Sequence, residues 1–441
     1  MSASVSTSPS GRLIDCLWPS GNRLSRAFGV FTLLLVIGLS VFIDKTDEDW
    51  REDWPDSAAK VEAGERSKVK PAEMARTAAY WGAWAGVGIG ALLFLTRCCW
   101  VGDARPKSMA GKPERTHGRG KVKSTARFDR GVFWFFVLLA LAVGTGLRVQ
   151  RMDFSFYNDE NHAYTRLIAG QWKGGAPGEE GAKFDQPRWG ETAFGNKTGN
   201  NAFLYSITAR AVFDTWREKN PIADGQIVEW VPRVPSLIAG VATILALALA
   251  GRKLLGPWVG AAAGWLIALH PWHLRFSTEA RGYGLAMLFV ALSLWLLAGC
   301  WKTNRWRWWL PYAICQLLTV YAYPGTVFLV VLMNLCLVGL LCLGWFGDRR
   351  EAAGVGMVRM VVSASLAAIP ALMLLVVPVM NTRKAMDDSA ALAQASADPS
   401  WWGDAISSLF VGCPWFNATP DSPLALAISY AIENGIWLLV L

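Results

Sequence analysis

Long apolar runs alternate with short polar turns along most of this chain. Ten of them approach the length that carries a helix across a bilayer, about 20 residues: Phe28–Ile43, Ala78–Thr96, Val132–Leu147, Val231–Ala250, Pro257–Leu274, Tyr283–Cys300, Trp308–Tyr321, Thr326–Phe346, Met357–Met380 and Leu424–Leu441. Backbone groups in lipid must be satisfied within their own segment, so each run is predicted to be helical. The pattern predicts an all-α fold, a polytopic transmembrane helical bundle with a large outer loop.

The polar stretches are unequal. Residues 44–77 are rich in acid and lysine with almost no aliphatic periodicity, and are expected to form an outer loop, mobile or helical. Gly82, Gly86, Gly88 and Gly90 in the second run leave room for another helix to approach closely. Residues 1–130 read as a two-helix membrane module with a basic loop, and 131–441 as the working core. Within the core the longest polar segment runs from Gln150 to Trp230, and loops of that size in compact domains usually carry function. It holds the run Gly174-Gly175-Ala176-Pro177-Gly178, then Phe203, Leu204, Ile207, Ala211 and Val212 at helical spacing, a stretch predicted to lie along the membrane interface. The last run reaches Leu441 without a polar flank, which points to an incomplete chain or an abrupt end.

Composition agrees with a membrane protein: 53% of the 441 residues are hydrophobic, 24 are Trp and 17% are charged. A net charge of +9 raises nucleic acid as a partner, but the cations gather between Arg97 and Arg130 without aromatic interleaving. That is a cytoplasmic loop under the positive-inside rule, not a nucleic-acid site. Arg252 and Lys253, then Lys302, Arg305 and Arg307, then Arg349, Arg350 and Arg359 mark further cytoplasmic turns. The N-terminus is then inside, and Gln150–Trp230, Arg275–Gly282, Tyr323-Pro324-Gly325 and Asn381–Pro420 face outward. The first run is followed by Asp44-Lys45-Thr46-Asp47-Glu48-Asp49 with no small-residue cleavage pattern, so an uncleaved anchor is expected. An integral, multi-pass protein of a cell inner membrane follows. The eight Cys show no disulfide framework; Cys98 and Cys99 sit at a helix end, and Cys413 stands alone in an outer loop.

Two polar clusters carry the candidate chemistry. Asn158-Asp159-Glu160 follows the third run, where lipid gives way to water. Neighbouring residues do not share a helical face, so Asp159 and Glu160 are expected to have separate tasks, one towards a substrate and one towards a cation or the backbone. A carboxylate at such a boundary has its charged form disfavoured, which suits a general base. The plain alternative is a pair of solvated charges, with Glu160 partnering a basic residue such as Arg166. Glu279, Arg281 and Tyr283 join two later runs on the same side, and an Arg fork there suits a phosphate. The alternative is that Arg281 merely pairs with Glu279 or snorkels to headgroups. His270 and His273, at i and i+3, lack a third partner, so no metal site is assigned and a divalent metal stays open as a cofactor. Trp306-Arg307-Trp308-Trp309 and Trp401-Trp402 read as interface anchors. Asn196-Lys197-Thr198 and Asn417-Ala418-Thr419 match a short glycosylation sequon, and Arg383 and Lys384 either help an anionic substrate or cap a helix.

From Val132 onwards the chain resembles the membrane glycosyltransferases with the GT-C fold, the group containing protein O-mannosyltransferases and aminoarabinose transferases. The resemblance rests on Asn158-Asp159-Glu160 and on an ordered succession: Arg233-Val234-Pro235-Ser236-Leu237-Ile238-Ala239-Gly240, Gly251-Arg252-Lys253-Leu254-Leu255-Gly256, His270-Pro271-Trp272-His273 and Ser277-Thr278-Glu279-Ala280-Arg281-Gly282-Tyr283. It implies transfer of a sugar from a polyprenyl-phosphate carrier to a lipid, glycan or protein acceptor on the non-cytoplasmic side. Asp159 then matches the catalytic acidic position and Arg281 a contact to the carrier phosphate. The candidate set is Asp159 and Glu160 for catalysis, with Arg281, Glu279, Tyr283, His273, Asn200 and Asn201 for substrate binding. Where relatives often carry His-Pro-Pro-Leu, this chain has Asn200-Asn201-Ala202-Phe203-Leu204, and its first two runs lie outside the usual pattern. A transporter of lipid-linked sugars or a non-catalytic scaffold is the competing class; transporters often show paired repeats, and none is visible.

Overall fold

A computed structural model describes residues 23–46, 48–65, 69–100, 119–195, 201–347 and 349–377. Outside them lie Asn200, the two sequons, Arg383, Lys384, Trp401, Trp402, Cys413 and the run Leu424–Leu441. The chain is helical almost throughout. Helix α1 is Arg23–Lys45, α2 Asp53–Glu62, α3 Pro71–Trp100 and α4 Arg119–Val149. The segment after α4 holds α5 (Asn158–Ala163), a π-helical turn over Tyr164–Ile168, α6 (Trp189–Phe194) and α7 (Phe203–Lys219). The remainder is α8 (Trp230–Leu254), α9 (Pro257–Leu269), α10 (Pro271–Phe276), α11 (Tyr283–Thr303), α12 (Trp306–Ala322), α13 (Val327–Phe346) and α14 (Arg350–Leu374). Among the described residues, seven helices are long and apolar enough to cross a membrane.

Two predicted spans depart from expectation: Trp308–Tyr321 lies in the 17-residue α12, which is not among the seven, and a second is broken. The run Pro257–Leu274 is not continuous: α9 stops at Leu269 and α10 starts at Pro271. The ring of Pro271 excludes its predecessor from helical backbone, and His270 sits at φ −60°, ψ 122°. The break sets the 277–282 loop beside the end of α4, where Arg148 Nε donates to Ser277 Oγ.

Both long polar segments hold regular structure. Residues 48–62 are mainly helical, and Ser57 Oγ donates to Glu73 of α3 at 3.0 Å. The Gly-rich stretch closes a small antiparallel hairpin, β1 (Gln171–Lys173) with β2 (Lys183–Asp185), pairing Gln171 with Asp185. Helix α7 buries Phe203, Tyr205, Ala209 and Phe213 and packs on α8, while Leu204, Ile207 and Val212 are only partly buried and Ala211 is exposed. Around its buried face Tyr164, Ile168, Val231 and Ala280 complete a core directly behind the polar loops.

Candidate active site

Helix α5 opens the site. Its first turn carries Asp159 and Glu160, where carboxylates favour the positive end of a helix. The two side chains part company: Asp159 is about half exposed at 49% and Glu160 is buried at 3%. Glu160 meets Arg233 of α8 through two bonds, Nε to Oε1 at 2.9 Å and Nη2 to Oε2 at 2.8 Å. Its carboxylate also accepts the backbone N–H of Ala280 at 2.5 Å and of Tyr157 at 3.0 Å. Arg233 spends its Nη1 on the carbonyls of Met152 (2.9 Å) and Phe154 (2.5 Å). One ion pair thus ties the exit of α4, the start of α5, the start of α8 and the 277–282 loop together. The basic partner is Arg233, not Arg166.

Asp159 faces the other way, towards Arg281, with Oδ2 3.5 Å from Nη2. Arg281 is almost buried and reaches the Tyr283 hydroxyl at 3.3 Å, while its carbonyl accepts from Ser236 Oγ at 2.8 Å. Burial opposes its charge, but Tyr283, Asp159 and Tyr323 outweigh that and hold its pKa above the ordinary value. The Tyr283 and Tyr323 rings stand 4.9 Å apart, and burial together with Tyr283 pushes the Tyr323 phenol up to about 12. Gly282 makes the crossing possible, since a Cβ there would lie 2.3 Å from the carbonyl oxygen of Ala322.

Glu279 pairs with Arg275 at 2.7 Å and not with Arg281. Burial raises its pKa against the pull of Arg275. Arg151, just past α4, donates Nε to Thr278 Oγ1 at 3.3 Å and feels both Glu279 and Arg275. Three carboxylates are therefore each matched to an arginine, and Arg151 adds a fourth cation. The cluster is positive before any substrate arrives.

The other candidates serve the frame. His273 is buried, and its Nδ1 accepts from Arg148 Nη2 at 2.5 Å. Burial first, then Arg148, pushes the imidazole down to about 3, so it is neutral near pH 7. Arg148 also donates to Ser277 Oγ at 2.8 Å and to the Ala268 carbonyl at 3.1 Å, near the negative end of α9. Asn201 is buried and donates to the carbonyls of Thr192 (3.0 Å) and Gly195 (2.6 Å) while accepting from Ser206 at 2.7 Å. Those bonds close the connection between α6 and α7. No cluster of three or more metal-ligating side chains occurs among the described residues.

Sequence reasoning passed over Tyr323, Arg151, Arg233, Arg148 and His162. Tyr323 was legible only as part of an outward turn, and Arg148 as the polar flank of an apolar run. His162 lies one turn after Asp159; burial first, then Arg166, lowers its pKa, with Asp159 opposing and Arg281 adding to the shift, and that i, i+3 spacing was the available signal.

Residues 223–346 match the family model for dolichyl-phosphate-mannose-protein mannosyltransferases. The match covers less than a third of the chain, but it includes Arg233, Arg275, Glu279, Arg281, Tyr283 and Tyr323. No curated protein matches the chain. Asp159 lies outside the matched segment, yet its neighbour Glu160 is bonded to Arg233 and Ala280 within it. A polytopic helical bundle with this segment at its centre bears out the resemblance to the GT-C membrane glycosyltransferases, mannosyltransferase-like in kind.

Proposed function

We propose that the protein moves a sugar from a polyprenyl-phosphate carrier to an acceptor hydroxyl on the non-cytoplasmic face, with Asp159 as general base and Arg281 on the carrier phosphate. The observation that carries this reading is the 3.5 Å approach of Asp159 to Arg281 at the open edge of a net positive cluster. A half-exposed pair at that distance is weak, on the order of 0–1 kcal/mol. A phosphate offers Arg281 a stronger, charge-assisted fork. Donor binding then draws the guanidinium from Asp159 and leaves its carboxylate a better proton acceptor.

The step balances without a cofactor. Asp159 takes the acceptor proton, the acceptor oxygen bonds to the anomeric carbon, and the bond from that carbon to the phosphate oxygen breaks. The electron pair leaves with the carrier phosphate, where Arg281 and the hydroxyls of Tyr283 and Tyr323 meet the growing charge. Glu160 holds α5 in place rather than touching the reacting atoms, and His273 and Asn201 act through the loops they fix. Glu279 keeps Arg275 oriented at the rim.

The test is reconstitution of the full chain in vesicles with a polyprenyl-phosphate sugar, followed by mass spectrometry of the released carrier and of glycosylated products. Donor-dependent release of carrier phosphate supports transfer. Movement of intact donor across the bilayer without cleavage would instead make the protein a transporter.

A further inference from the structure

A second arginine centre lies at the other end of the bundle. Helix α11 leads away from Tyr283 to Thr303, and α12 begins beyond it at Trp306. The Trp306 ring packs on Phe28 of α1 with centroids 5.0 Å apart, and Arg359 of α14 lies over the same ring at 5.4 Å. Arg97, in the last turn of α3, lies against Gly29, the residue after Phe28: a Cβ built there would stand 3.0 Å from Arg97 Nε. Gly29 therefore preserves the space that the guanidinium occupies.

Arg97 is 1% exposed, yet it is poorly satisfied. Its Nη1 donates to the carbonyl of Phe94 at 2.7 Å and its Cζ stands 4.0 Å over the Phe94 ring, whereas Nε and Nη2 meet no acceptor among the described residues. No carboxylate among the described residues pairs with it. A permanently charged group with two idle donors is costly to bury, and the natural remedy is an anion. The surroundings select the anion's character. This end of the bundle carries the turns with Arg252, Lys253, Lys302, Arg305, Arg307, Arg349 and Arg350, and a basic helix end of this kind faces the leaflet rich in anionic lipid.

We propose that Arg97 forms an anion site that takes the phosphate of an anionic lipid headgroup at the joint of α1, α3, α12 and α14. Arginine's planar fork suits phosphate oxygens. The ligand bridges the first helices to the rest of the bundle, at the opposite end from Asp159 and without dependence on the transfer reaction.

The test uses the purified full chain, stripped of lipid in detergent and titrated with phosphatidylglycerol or phosphatidylcholine of equal acyl length under native mass spectrometry. Phosphatidylglycerol should be retained as one molecule per chain at about five-fold lower concentration. Arg97→Gln should erase that preference and Arg281→Gln should leave it. If Arg97→Gln fails to fold, Arg97→Lys keeps the charge without the fork and should reduce the preference. Equal retention of both lipids by the unmodified protein overturns the lipid assignment. Thermal stabilisation by inorganic phosphate at matched ionic strength, lost in the Arg97 variant and without a lipid preference, would assign the site to a free phosphate. No response to either anion would overturn the site altogether.

Discussion

Replacing Glu160 by Gln separates a residue that holds the site from one that performs chemistry. The substitution keeps the shape and one acceptor oxygen, so bonds to the N–H groups of Ala280 and Tyr157 can partly survive. It removes the charge opposite Arg233, and both side chains are only 3% exposed. Breaking such a pair from one side costs about 3–5 kcal/mol, because the remaining charge is stranded. Arg233→Leu should cost more: it leaves Glu160 unpaired and strands the carbonyls of Met152 and Phe154, each worth about 1–3 kcal/mol if it stays dry. The double variant Glu160→Gln with Arg233→Gln should lose less than the sum of the two single Gln variants, since neither partner then faces an orphaned charge. Apparent unfolding temperatures in detergent give the ranking, with transfer measured on the same samples. If Glu160→Gln unfolds at the temperature of the unmodified protein but abolishes transfer, Glu160 acts in the reaction and the positioning role is wrong.

Three further outcomes follow from the geometry. Arg281→Ala should cut transfer by about 10²–10³-fold, Arg281→Lys should leave an intermediate rate, and Glu279→Gln should not rescue Arg281→Gln, because Glu279 belongs to Arg275; rescue in that double variant would refute the phosphate contact. For His273, the folded value of about 3 lies below the ordinary 6.5, so the unfolded chain binds the proton first and stability should fall as pH drops from about 6.5 towards 3. Glu279, raised above its ordinary 4.5, works in the opposite direction as it protonates. His273→Gln keeps an acceptor for Arg148 and should flatten the fall in unfolding temperature between pH 6.5 and 4.5; an unchanged slope would remove His273 as its source. In a cysteine-free background, a cysteine at Glu180 should react with an impermeant reagent in intact cells and one at Leu255 should not. The reverse pattern would place the Asp159 cluster on the cytoplasmic side.

Nine of the ten runs lie wholly or largely in helices because lipid demands long apolar segments that satisfy their own backbone, and that demand is written one residue at a time. The tenth falls outside the described residues. The break at His270 was carried by Pro271, which an average over apolar character conceals. The separation of Asp159 from Glu160 was legible in their adjacency, and the near approach of the two polar clusters was consistent with placing both loops on one side by charge. What adjacency could not reveal was partnership. Glu160 meets Arg233, and Arg148 meets Ser277 and His273, across helices that only packing brings together. The hairpin of β1 and β2 was hidden for another reason: each strand is three residues long, and the glycines between them erase any alternation.

The most direct test of the proposed site is the transfer rate of Asp159→Asn with a polyprenyl-phosphate sugar as donor. Asn keeps the size of the side chain and cannot take the acceptor proton, while the half-exposed position gives folding little reason to object. Turnover should fall by about 10²–10⁴-fold, with the unfolding temperature and donor retention unchanged. Transfer at or near the unmodified rate would remove Asp159 from the mechanism and contradict the account at its centre.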